Sequence, residues 1–174
     1  MLARIRSAAV LGIDAYLVEV EVDITNGLPS VATVGLPHGA VKEGRERVTA
    51  ALVNAGYSFP LKRITINLAP ADVRKDGSGF DLPIALGILA ASEQLDAGGL
   101  AEQLILGEVG LEGDLRPVRG ALSMTLAARK AGLRGVILPA ANLPVTRSQV
   151  RLMPWSRINS RTFLTCSGCF RARR

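Results

Sequence analysis

The chain is poor in several things that would have decided its chemistry early. Aromatic residues make up only 4% of its 174 residues, there is a single histidine, His38, and there are two cysteines, Cys166 and Cys169. The lone His38, beside Pro37 and ahead of the first expected helix, is read as a surface or capping residue, so neither a His-based triad nor a zinc catalytic site is expected, and two cysteines in a chain of this length do not form a disulfide scaffold. No run reaches the roughly 20 apolar residues that span a bilayer. The apolar stretch near the start is interrupted by Asp14 and then by alternating acids, too early for a signal peptide. A cytoplasmic location with no membrane partner is expected. A Gly-Lys dipeptide is absent throughout, which excludes a P-loop and ATP hydrolysis by that route within this sequence.

Charge is unevenly placed. Residues 1–144 hold fourteen Lys/Arg against fifteen Asp/Glu, whereas residues 145–174 hold seven Arg and no acid. The formal net charge of +6 therefore belongs to the tail. This shift predicts a domain over 1–143 and a basic tail over 144–174, disordered or read from a shifted frame. Cys166-Ser-Gly-Cys169 is half of a zinc knuckle without a second half, so no metal site is expected.

Apolar residues make up 48% of the whole sequence, enough material for a core. Tyr16, Val18, Val20, Val22 and Ile24 alternate with Glu19, Glu21 and Asp23, predicting a half-buried strand. A short strand near Ala8–Leu11 and a returning strand at Ser30–Gly35, after the Asn26-Gly27 turn, are expected beside it. Helical spacing predicts a helix over Gly39–Ala55, with Lys42/Glu46 and Glu43/Arg47 pairs on its surface. A strand over Lys62–Leu68 follows, then an unusually apolar helix over Asp81–Glu93. Strands at Leu104–Val109 and Asp114–Val118, a helix over Ala121–Ala131 and a strand at Val136–Leu138 complete an α+β pattern, with helices on one sheet face.

The loop Lys75–Pro83, KDGSGFDLP, is the most informative segment. Its glycines permit close approach, and the helix behind it offers free N–H groups. One reading makes Ser78 a nucleophile or part of an anion site, with Lys75, Lys62 or Lys130 as base. The other makes Ser78 or Asp81 a helix cap.

Three segments, Ser30–Leu52, Arg63–Ser92 and Leu104–Gly120, resemble in order the N-terminal domain of the YifB/ComM family. These are bacterial AAA+ ATPases labelled magnesium-chelatase subunit ChlI-like or competence proteins. The resemblance implies a Lon proteolytic-domain-like fold, a two-layer α+β domain of the ribosomal-protein/GHMP-kinase superfold. It also implies an AAA+ module elsewhere that carries ATP and Mg, hexameric assembly, and helicase or branch-migration activity during natural transformation. Set against Lon's KDGPSAG-like loop, Gly79 takes the nucleophile position, and Leu122 and Met124 stand where Lon has lysines. The resemblance therefore implies no catalytic residue, with a Ser-Lys peptidase using Ser78 as the rival reading. It also shows two departures: Gly44 where the family has Ser, and Gly79 where it has Arg. DNA or subunit contacts are expected at Lys42, Arg45, Arg47, Arg74, Lys75, Arg116 and Arg119, with weak DNA binding by this chain.

Overall fold

Alternation governs the first half of the fold. β1 (Leu2–Leu11) and β2 (Asp14–Thr25) form an antiparallel hairpin with Ile5 opposite Val20 and Ala3 opposite Val22. Odd positions of β1 and even positions of β2 therefore share one face. β1 begins six residues earlier than expected, because Ala3, Ile5 and Ser7 turn inward while Arg4 and Arg6 turn out. The Ser7 hydroxyl is wholly buried and has no hydrogen-bond partner among the described residues, which are 1–146 of the computed structural model.

β3 (Ser30–Val34) is not the second arm of a hairpin with β2. It crosses to the sheet edge and pairs in parallel with β4 (Arg63–Ala69), which lies between the two. The connecting helix α1 (Ala40–Asn54) makes β3–α1–β4 a crossover unit. β5 (Gln103–Ile105) and β8 (Gly135–Ile137) extend the other side, giving the order β3-β4-β2-β1-β5-β8. The apolar stretch expected as one strand over Leu104–Val109 divides at Gly107. Its second part, β6 (Glu108–Val109), pairs with β7 (Leu115–Arg116) in a separate two-stranded sheet.

The class is the expected α+β, with one difference in layering. α2 (Asp81–Ala91) is buried along its whole length, wedged between α1 and the β1–β2 face that carries Ile5, Val20 and Val22. Gly87 makes this fit: a Cβ there would lie 2.6 Å from Val22 Cγ2. α3 (Ala121–Lys130) instead packs with Ala8, Ala15 and Leu17, the opposite parity of the same two strands. Helices therefore cover both faces, each over its own apolar cluster. α4 (Leu143–Thr146) crosses the boundary expected at residue 143, and Thr146 is fully buried. Most of the basic tail, with Cys166 and Cys169, lies outside the described residues. No helix among the described residues is long and apolar enough to cross a membrane.

Candidate functional site

The loop leading into α2 is held from both sides. Lys75 N–H donates to Leu36 O at 3.2 Å, and His38 N–H donates to Lys75 O at 2.9 Å. The Tyr16 hydroxyl donates to Arg74 O at 2.8 Å. Further on, Gly107 N–H donates to Gly79 O and Leu82 N–H to Gly107 O, tying the 3-10 turn Ser78–Phe80 to the segment before β6. These bonds shape one wall of a cleft of about 790 Å³, with Ser78 and Gly79 on this wall and Val118 and Met124 on the other.

Within the cleft, the Ser78 hydroxyl donates to the Glu108 carboxylate. Glu108 also faces Arg116, whose Nη1 lies 3.8 Å from its Oε1. No lysine hydrogen-bonds Ser78 among the described residues. Lys75 is wholly buried, its Nζ has no hydrogen-bond partner among the described residues, and desolvation pushes its pKa down. The peptidase reading needed a lysine amine on Ser78; a carboxylate, which is a weaker base, occupies that place. Met124, at one of the two positions where Lon has a lysine, is present in the cleft as an apolar side chain, 4% exposed. The cleft thus brings the expected positions together without their chemistry.

Neither capping reading holds. No side chain caps the 3-10 turn or α2. Asp81 is instead a buried partner: Arg47 donates to its two carboxylate oxygens at 2.8 and 3.1 Å, and Val109 N–H lies 3.4 Å from Oδ2. Burial pushes the Asp81 pKa up to about 6, against the opposing pull of Arg47 and Val109. Gly44 is the complement on α1, since a Cβ there would lie 2.4 Å from Asp81 Oδ1. An anion site at this helix start is disfavoured, because Asp76, Asp81 and Glu108 already crowd it and Gly77 N–H is taken by Asp76 Oδ1.

The cationic contacts expected from sequence divide. Lys42, Arg45, Arg74, Arg116 and Arg119 are exposed. Arg45 pairs with Glu46 rather than leaving Glu46 to Lys42, and Arg116 pairs with Asp114. Arg119 lines the cleft. Two corrections follow: Lys75 is inside, and Arg47 is turned inward to Asp81 instead of to Glu43, so neither is an open contact. Sequence reasoning missed Glu108 altogether. The signal for Asp81 was present as a lone acid on an otherwise apolar helix, which demands a buried partner.

Residues 20–142 match the family described as Subunit ChlI of Mg-chelatase. The chain belongs to that family. It is 50% identical over 141 residues to the uncharacterized protein YifB of Salmonella typhimurium, covering 81% of this chain and 28% of that protein. It is 52% identical over 130 residues to competence protein ComM of Haemophilus influenzae, covering 75% and 26%. The Lon protease of Mycolicibacterium smegmatis matches at 29% over 146 residues, covering 78% and 18%. The ChlI-family chain thus spans about a quarter of the length of its YifB and ComM relatives, and its α+β domain is Lon-like.

Proposed function

We propose that this is a non-catalytic Lon-like accessory domain of a YifB/ComM-type AAA+ protein. Its role is contact with neighbouring subunits and with DNA, and it acts in the cytoplasm. ATP and Mg belong to the AAA+ module, as does any helicase or branch-migration activity in natural transformation. The observation that carries this reading is the cleft itself, where the Ser78 hydroxyl is engaged by Glu108 and Met124 lines the cleft as an apolar side chain. Among the described residues Ser78 therefore lacks the lysine that a Ser-Lys peptidase uses to take up the proton of its hydroxyl. Arg45, Arg116 and Arg119, with Lys42 and Arg74, are exposed cations that phosphates or a neighbouring subunit could meet.

The test is covalent labelling with a fluorophosphonate probe. The expected result is labelling of the wild-type chain no greater than that of Ser78→Ala. Stoichiometric labelling lost in Ser78→Ala would instead establish the peptidase reading.

A further inference from the structure

The sheet has two edges, and they are treated differently. β8 is three residues long and is followed by Leu138-Pro139, the short and Pro-blunted form that resists further pairing. β3 is five residues long, Ser-Val-Ala-Thr-Val, with no charge and no proline inside it; Pro29 stands just before it. No Asp, Glu, Lys or Arg occurs anywhere between Asp23 and Lys42.

The ladder shows which groups of β3 are open. Ser30 N–H donates to Lys62 O at 3.3 Å, and the register runs from Ser30 opposite Arg63 to Val34 opposite Asn67. Alternate residues of a parallel strand address the same neighbour. Ser30, Ala32 and Val34 therefore face β4, while Val31 and Thr33 turn their N–H and C=O groups to the free edge. Among the described residues nothing bonds to them there.

We propose that β3 is a self-association edge, pairing antiparallel with β3 of a second copy of this chain about a twofold axis at Ala32. In that register Val31 of one copy faces Thr33 of the other. Both present outward groups, so each such pair exchanges both of its backbone hydrogen bonds. Ala32 faces its own mate as the close, non-hydrogen-bonded pair. A twofold contact places every residue near a symmetry-related copy of its own neighbours, and a charged strand would repel itself. The missing charge favours a second copy over a charged peptide as occupant. This isologous contact differs from the head-to-tail contact that closes a ring.

The register is tested by cross-linking. In the full chain carrying Cys166→Ser and Cys169→Ser, Ala32→Cys should form a disulfide-linked dimer under mild oxidation, because such opposed Cα atoms lie about 4.5 Å apart. Ser30→Cys, which would face Val34 of the second copy, should stay monomeric under the same conditions. Equal cross-linking at both positions, or none at Ala32, overturns the proposal. In sedimentation, Ala32→Lys should weaken self-association by about tenfold or more through like-charge apposition. Mixing it with Ala32→Glu should restore the dimer. A dimer indifferent to these charges, or a monomer at every concentration, also overturns it. Ala32 is exposed, so these substitutions leave the core intact.

Discussion

Arg47 on α1 and Asp81 at the start of α2 form a two-pronged ion pair that pins the two helices together beside the cleft. Asp81 is 1% exposed and Arg47 22%. Neither helix is capped by a side chain there, so this pair defines how the loop enters α2.

Breaking it from one side leaves a buried charge. Asp81→Ala or Arg47→Leu should each cost on the order of 3 kcal/mol in urea unfolding, and the combined Arg47→Met, Asp81→Leu variant should recover most of that. The pH dependence has a definite sign. Desolvation raises the folded-state pKa of Asp81 from 3.8 to about 6, so the folded state holds this proton more tightly than the unfolded state. Its contribution is greatest below about pH 4, is lost as pH rises toward about 6, and is constant above. The stability difference between wild type and Asp81→Asn, measured from pH 4 to 7.5, should follow that course.

Gly44 sets helix propensity against packing. In an exposed helix Gly→Ala would stabilise by about 1 kcal/mol. Here the new Cβ would lie 2.4 Å from Asp81 Oδ1. Gly44→Ala should therefore destabilise, by about 1–2 kcal/mol net, read as a lower midpoint in thermal unfolding.

Ser7 offers the opposite sign. Its hydroxyl is buried on the inner face of β1 without a partner among the described residues. Ser7→Ala should leave stability unchanged or raise it by about 1 kcal/mol, since an unmet polar group costs more than the hydroxyl supplies. Urea midpoints of the two chains decide this.

DNA binding should be weak, sequence-independent and strongly salt-dependent in the full chain. It should fall sharply in a chain ending at Thr146, which lacks all seven tail arginines and has a net charge of −1. Salt titrations of both chains by fluorescence anisotropy check this. Equal affinity, lost on replacing Arg45, Arg116 and Arg119, would place the contact on the folded body.

The sequence made element types legible wherever apolar spacing was strong, as in β2, α1 and α2. It did not reveal which strand β3 joins, because its local alternation is compatible with β2 or β4 as neighbour. The apolar run divides at Gly107 because its N–H and C=O bond to Gly79 and Leu82 instead of to a neighbouring strand, an approach so close that a Cβ there would lie 3.1 Å from Leu82, a residue 25 positions away. In the site, the cleft was legible through the KDGSGFDLP loop, but Glu108 was hidden. Its role arises only when β6 is brought against the 3-10 turn, and no spacing rule joins positions 30 residues apart.

The division of the apolar interior by the sheet has a mechanical result. The cleft wall bearing Phe80 is rooted in the cluster around α1 and α2, and the wall bearing Val118 and Met124 in the cluster around α3. β1 runs between them, contributing Ile5 to the first cluster and Ala8 to the second. Each jaw of the cleft is thus bolted to its own foundation. Repacking within one cluster therefore acts on the cleft through one wall, while the other wall is held by separate contacts.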